Sequence, residues 1–292
     1  MNKWIYSSIC MLVCGLGFSQ AVHADTINEH ATVNESEYQW SRAETSLITI
    51  SDFIKSPSGY KQILQDIDSF GSWLRKLPIL QNSETVMLFN GKEKFNQLAH
   101  HSIIDIDVGN RDLQQCADAA MRLRAEYLFA KGKFEQIHFN FTSGDKASWL
   151  EWASGKRPVV KGNKVSWKQT GVEDHSYNNF RKYLNIVFTY AGSASLALEL
   201  EKVRDPQKIL PGDVFIQGGF PGHAVVVMDV AENTDGKRIF ILAQSYMPAQ
   251  QIHILNNPKF WNGPWYHAES SGKLITPEWI FNFSDLMRFN KN

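Results

Sequence analysis

The spacing of apolar residues shifts several times along the chain, and each shift predicts an element. Residues 25–45 (DTINEHATVNESEYQWSRAET) are polar and weakly periodic, which predicts a loose extension. SLITISDFI predicts a strand or short helix. GYKQILQDIDSFGSWLRKLPIL then carries apolar residues at three- and four-residue steps, the mark of an amphipathic helix, with Pro78 as its terminator. SETVMLFNGK predicts a strand running into a turn at Asn90-Gly91, and HSIIDIDVG (101–109) alternates as a half-buried strand does. DLQQCADAAMRLRAEYL (112–128) returns to helical spacing and closes at Lys131-Gly132-Lys133.

The second half repeats the change of period. FEQIHFNFTSG alternates, DKASWLEWASGKRP predicts a short helix and a turn, and HSYNNFRKYLNIVFTYAGSASLALEL predicts two helices divided at Gly192. The final third is strand-rich: PGDVFIQGG, GHAVVVMDVA, KRIFILAQS and QQIHIL are separated by turn-forming clusters. Asn233-Thr234-Asp235-Gly236 is the predicted hairpin loop. With no internal repeat, the pattern predicts a single α+β domain over 46–292, an antiparallel sheet with helices packed on it.

Composition adds a compartment. MNKW, then the apolar run IYSSICMLVCGLGF, then AVHA form a signal-peptide pattern with cleavage after Ala24, and no other stretch approaches the length of a membrane span. The expected location is therefore periplasmic or secreted. A lipid anchor on Cys14 is the lesser alternative, because Val13 is a poor residue before a modified cysteine. The sequence is 43% hydrophobic and 12% aromatic, ample for a packed core. Thirty basic residues balance thirty acidic ones, which argues against a nucleic-acid partner.

Removal of Cys10 and Cys14 with the leader leaves Cys116 as the sole cysteine, so no intrachain disulfide can form. Asp112 and Gln115 have the spacing of a capping box, which predicts a helix starting at Leu113 with Cys116 in or just past its first turn. There the helix dipole and unpaired N–H groups favour a thiolate. Leu113, Cys116, Ala120, Leu123 and Tyr127 share one face, which predicts that the sulfur points toward the sheet.

A base is needed, and His223 is the candidate. Gly218, Gly219, Pro221 and Gly222 deliver the chain into a strand whose first side chain is an imidazole, at the rim of the sheet. His223, Val225, Val227 and Asp229 alternate with Ala224, Val226, Met228 and Val230. If residues 232–235 close the hairpin, Gln244 falls opposite His223, and a slip of one position substitutes Ser245. The Gln244 carbonyl is then expected to accept Nδ1–H and leave Nε2 to deprotonate the thiol.

In its order and local context the arrangement resembles the papain-like cysteine hydrolases, in particular the bacterial cell-wall amidases and endopeptidases of the CHAP and NlpC type. The matching pieces are Pro211-Gly212-Asp213-Val214-Phe215, Gly222-His223-Ala224-Val225-Val226-Val227 and the helix DLQQCADA, over residues 110–245. The resemblance implies a papain-like α+β fold, with a core at about residues 101–255. It also implies a peptide or peptidoglycan substrate. Ala117 after the cysteine and Gln244 as orienter depart from the usual pattern. Gln114, Gln115, Asn110 and the Cys116 N–H stand as candidates for the oxyanion donor. The phrases FGSWLRKLP, DLQQCADAAMRLRAEYL, GDVFIQGGFPGHAVVVMDVA and LAQSYMPAQQIHIL make the chain similar to an uncharacterised family of exported bacterial proteins, domain of unknown function 4846.

Other chemistry is sparse. No HExxH, paired CxxC, GxGxxG or Walker phrase occurs, so neither a metal nor a nucleotide cofactor is expected. His100-His101 with Asp105 and Asp107 is the best metal-like cluster, but adjacent strand residues point apart. Trp149 with Trp152, and Trp265-Tyr266, are candidates for lining a groove, and Tyr246 opens a loop at the rim of the site. Two functions compete: an exported cysteine amide hydrolase or acyl transferase acting on cell-wall peptides, and a non-catalytic periplasmic binding protein with a papain-like fold for a peptide, glycan or envelope partner.

Overall fold

The computed structural model describes residues 38–40, 48–81, 83–259 and 263–290, all within one compact unit, Val33–Asn292. The leader at 1–24 and most of the polar extension at 25–45 lie outside the described residues.

The chain opens with helix α1 (Ile50–Phe53), strand β1 (Tyr60–Gln62), helix α2 (Phe70–Arg75) and strand β2 (His100–Ile103). The cysteine helix α3 (Cys116–Ala130) follows, then a hairpin of β3 (His138–Asn140) and β4 (Lys146–Ser148), helix α4 (Trp149–Ala153), and a hairpin of β5 (Lys156–Lys161) and β6 (Lys164–Gln169). Helices α5 (Tyr177–Tyr190) and α6 (Ser193–Glu199) precede β7 (Glu201–Lys202), β8 (Val214–Gln217), β9 (His223–Asn233) and β10 (Arg238–Gln244). The chain ends through β11 (His253–Leu255), β12 (Tyr266–His267), the hairpin of β13 (Lys273–Ile275) and β14 (Ile280–Asn282), and β15 (Leu286–Arg288).

Nine of these strands form one open antiparallel sheet in the order β2-β11-β10-β9-β8-β15-β7, with β1 beside β9 and β12 beside β10. The papain-like α+β fold expected from the motif order is not what the chain adopts. Antiparallel β structure dominates, and only α3 and α5 among the six described α-helices exceed seven residues. Part of the difference arises in the first lobe. The helical spacing of GYKQILQDIDSFGSWLRKLPIL is realised only over Phe70–Arg75, because Tyr60–Gln62 pairs with Ala231–Asn233 as a strand. Tertiary pairing overrides a local pattern there. SETVMLFNGK forms two isolated bridges, Met87 to Glu93 and Leu88 to Gln250, rather than a strand, and β2 is shorter than the alternation of 101–109 predicts. The β5–β6 hairpin turns at Lys161-Gly162-Asn163-Lys164, inside a stretch with no predicted strand.

The central hairpin carries the informative irregularity. Arg238 faces Glu232 and Ile241 faces Asp229, but Leu242 faces Val227 and Ala243 faces Val226, so β9 holds one extra residue at Met228-Asp229. Such a bulge shifts the parity of every later pair. Ala224, Val226, Met228, Ile241 and Ala243 join the core cluster beneath α3, while Val225, Val227, Val230, Phe240 and Leu242 join the cluster on the opposite face with Phe281. Asp229 therefore leaves the face that simple alternation assigns it. Its buried carboxylate meets Arg75 at 2.5 Å and Gln62 Nε2 at 2.5 Å, which ties β1 and α2 to the sheet.

Removing one partner of a buried ion pair strands the other charge and costs about 3–5 kcal/mol. Arg75→Met is expected to destabilise the fold by about 3 kcal/mol in urea denaturation. Lys131→Ala, which breaks the pair with the exposed Asp68, is expected to leave the urea midpoint nearly unchanged, because solvent screens that pair. Equal effects would show that Asp229 is not the anchor of the first lobe.

Candidate functional site

The cysteine helix begins at Cys116 itself. The predicted cap, Asp112, is engaged elsewhere: its Oδ1 accepts Ala249 N–H at 2.7 Å and Gln115 Nε2–H at 3.0 Å. Leu113 and Gln115 instead donate to Arg111 O and Leu113 O, which keeps this stretch out of the helix. Gln115 is the N-cap, with extended backbone, and Asp118 at the third helical position accepts its N–H at 3.0 Å. The predicted face is the packed one: Ala120, Leu123 and Tyr127 lie in the core cluster, with Leu113 and Cys116 against it.

Cys116 is partly exposed. Burial is nonetheless the largest influence on its thiol, which is pushed up to about 11, with Asp118 adding to the rise. The N–H groups of Ala117, Ala224 and Cys116 act in the opposite direction. Asp118 is itself buried and held well above the usual carboxylate range by that burial. The expected resting thiolate is therefore replaced by a neutral thiol, because desolvation outweighs the helix terminus here.

His223 enters through a turn that only glycine fits. A Cβ on Gly222 would clash with Ser193 Oγ and stand 2.7 Å from both Gln217 O and Gly219 O. The imidazole lies on the face opposite α3, with ring centroids 4.7 Å from Tyr246, 5.2 Å from Trp279 and 5.8 Å from Phe281. Burial pushes it down to about 4, partly offset by Gln244, so it is neutral at ordinary pH. Among the described residues no hydrogen bond joins Cys116 Sγ to this ring. The two are linked at the sheet's end, where the N–H of Ala224, the residue after His223, acts on the thiol. Tyr246 also meets the ring, and its phenol is held above the usual range by burial first, then by Glu278 and Cys116.

Gln244 meets His223 as a diagonal neighbour rather than a direct one. The observed register, continued one residue, sets Gln244 against Val225, and its Oε1 lies 2.9 Å from His223 Nε2. The ring is thus turned the opposite way from the expectation: Nε2 holds the orienter and Nδ1 is left. Gln244 Nε2–H donates to Glu278 Oε2 at 2.6 Å and lies 3.5 Å from His253 Nε2. Glu278 Oε1 accepts from Lys94 Nζ at 2.6 Å. Burial is the leading influence on Lys94 and lowers it, against the pull of Glu278. Burial also pushes His253 down to about 3.

The remaining candidates separate. Ser245 is fully buried, with its one hydroxyl proton shared between Gln114 O and Gln250 O, each at 2.8 Å, a structural role. Gln114 is buried, its side-chain oxygen accepting from Arg122 and its amide donating to Asp107 O; Gln115 is tied to Asp112, and Asn110 is exposed. Trp149 and Trp152 are core residues, with Trp152 Nε1–H bonded to Asn179 Oδ1 at 2.9 Å, and line no groove. Trp265 Nε1 donates to Lys55 O, and Tyr266 is buried. Asp107 pairs with Arg122 and Arg181, and no group of three or more metal-binding side chains occurs among the described residues. Lys94, His253, Glu278 and Trp279 were missed. A usable signal existed for His253, a histidine between Ile252 and Ile254 on the strand following Gln244. Glu278 carried none, since it sits in the turn between β13 and β14, where Thr276 and Trp279 bond each other.

A family model described as a domain of unknown function (4846) matches residues 50–288. No curated protein and no solved structure matches the chain. No described helix is long and apolar enough to cross a membrane.

Two buried neutral histidines make the fold acid-sensitive in a defined window. Their folded values, about 4 and about 3, lie below the ordinary 6.5, so the unfolded chain binds more protons as pH falls below 6.5. Their stabilising contribution is complete above that point and is lost as pH descends toward the folded values, at roughly 1.4 kcal/mol per pH unit from each histidine. Near pH 5, His223→Gln or His253→Gln is expected to reduce the slope of unfolding free energy against pH by about that amount. An unchanged slope in both variants would show that neither imidazole is held neutral.

Proposed function

We propose that the chain, which belongs to the family described as a domain of unknown function (4846), is an exported cysteine-dependent amide hydrolase or acyl transferase acting on cell-wall peptides. The observation that carries this reading is a partly exposed thiol at the first position of a helix, beside the N–H that follows a histidine whose ring is hydrogen-bonded through Nε2. The order of cysteine, histidine and polar orienter resembles that of the CHAP- and NlpC-type cell-wall enzymes, and the leader pattern at residues 1–24 supports export to the periplasm or beyond.

In this mechanism Cys116 Sγ adds to the amide carbonyl carbon while its proton is relayed by water around the end of the sheet, past the Ala224 N–H that acts on the thiol, to His223 Nδ1. The carbonyl oxygen takes up the negative charge and is met by the N–H groups at the start of α3. The C–N bond then breaks, and the amine departs with the proton held by His223. Water, or a second amine in the transferase variant, attacks the resulting thioester and releases Cys116. With thiol and imidazole both neutral at rest, proton transfer is part of the attack and not a step completed beforehand.

A second reading has its own support. The desolvated thiol and the absence of a Cys116–His223 hydrogen bond favour a non-catalytic periplasmic binding protein for a peptide, glycan or envelope partner. Peptidoglycan stem peptides incubated with the leader-free protein and followed by mass spectrometry separate the two. Cleavage or transfer is expected with the natural sequence, none with Cys116→Ala, and a loss of roughly a hundredfold or more with His223→Ala. Peptides that stay intact while binding the natural protein and Cys116→Ala equally would establish the binding reading instead.

A further inference from the structure

We infer that Glu278, on the C-terminal β13–β14 hairpin, is a positioning residue that dictates which nitrogen of His223 carries the proton, acting through the Gln244 amide. The catalytic meaning of this rests on the function proposed above; the structural statement does not.

Donors and acceptors alternate from one end of a buried chain to the other. Lys94 Nζ has only protons to give, and it approaches Glu278 Oε1 at 2.6 Å and Asn96 O at 2.9 Å. Asn96 Nδ2 also points at Oε1, at 3.4 Å. The remaining carboxylate oxygen, Oε2, lies 2.6 Å from the Gln244 amide and has only lone pairs to offer. Gln244 must therefore present its NH₂ to Glu278 and its carbonyl oxygen to His223. His223 Nε2, at 2.9 Å from that oxygen, must carry the proton, which leaves the lone pair on Nδ1.

His253 agrees with this assignment from a second direction. Its Nδ1 donates to Gln251 O at 2.9 Å, so its Nε2 is an acceptor, and it lies 3.5 Å from the same Gln244 NH₂. A flipped amide would oppose acceptor to acceptor there. Gln244 and His253 are also direct cross-strand partners, so the backbone holds both groups in register. Gln244, His223 and His253 are at most 1% exposed, Lys94 is 5% exposed and the Glu278 side chain 15%, so water competes little for the contacts at the imidazole end.

Glu278→Gln tests the inference because it keeps the shape and exchanges one acceptor for a donor. Lys94 and Asn96 hold an oxygen at the Oε1 position, which places the new NH₂ against Gln244. Two facing NH₂ groups repel, Gln244 turns over, and the His223 proton is expected to move to Nδ1. Nitrogen-15 NMR of histidine-labelled protein reads the tautomer directly, with His223→Gln identifying the resonances. The expected result is Nε2–H in the natural protein and Nδ1–H in Glu278→Gln. Nδ1–H in the natural protein, or Nε2–H retained in the variant, would overturn the assignment. Should Glu278→Gln not fold, Lys94→Met with Glu278→Leu removes both charges together, and the expectation becomes a mixture of tautomers; retained pure Nε2–H overturns it.

Iodoacetamide labelling of Cys116 separates this inference from the proposed function. An inverted tautomer with labelling slowed at least about tenfold, toward the rate of His223→Gln, supports both. An inverted tautomer with unchanged labelling supports the positioning role of Glu278 and removes His223 as the base.

Discussion

The candidate site depends on one extra residue in strand β9. Without the bulge at Met228-Asp229, the hairpin register of Arg238–Ile241 would continue and set Gln244 against Val226, on the face beneath the cysteine helix. His223 would then be left on the other face without its partner. The bulge corrects the parity by one position, sends Gln244 and His223 to the same side, and turns Asp229 toward Arg75 and Gln62. A single irregularity thus sets both the polar chain around the imidazole and the anchoring of the first lobe. This is the common use of a bulge, which re-aims side chains at a cost in regular pairing.

Desolvation governs the chemistry that results. Helix position alone argues for a thiolate at Cys116, since the first N–H groups and the dipole stabilise negative charge. The structure adds a low-dielectric surrounding and the nearby Asp118, and these win: the thiol is pushed up to about 11 and the imidazole down to about 4. Tyr246, Trp279 and Phe281 account for the imidazole's surroundings, and two of the three belong to the β13–β14 hairpin that also bears Glu278. One short hairpin therefore supplies both the apolar wall that keeps His223 neutral and the carboxylate that orders Gln244.

The sequence made some of this legible and concealed the rest for physical reasons. Cys116, His223 and Gln244 were visible because each interrupts an apolar pattern at an element's end, and the Asn233–Gly236 loop fixed the hairpin well enough to bring the last two together. Their exact register was not visible, since a bulge leaves alternation on both sides intact. The start of α3 was misplaced because Asp112, a good cap by spacing, is taken by Ala249 N–H from a distant loop. The papain-like fold was inferred from motif order, which says nothing of how many strands join the sheet; β1, β2, β12 and β15 come from segments the motifs do not reach. Trp149 and Trp152 looked like surface aromatics in a polar neighbourhood, yet the charges beside them lie on the outer side of α4 and the rings fill the core.

Lys94 and Glu278 explain why the first lobe belongs to the site at all. They stand 184 residues apart, and each is placed by local bonds: Lys94 N–H to Val86 O, and Glu278 within the turn closed by Thr276 and Trp279. A buried ion pair contributes little net stability when compared with apolar residues of the same shape, so stability is a weak reason for the pair to exist. Its consequence is directional. An ammonium can only donate and a carboxylate can only accept, so the pair imposes an orientation on the Gln244 amide that a neutral pair of side chains would leave free. The segment before the cysteine helix and the final hairpin thereby meet in one polar chain that ends at the His223 ring, and the protonation pattern of that ring becomes a property of the whole fold.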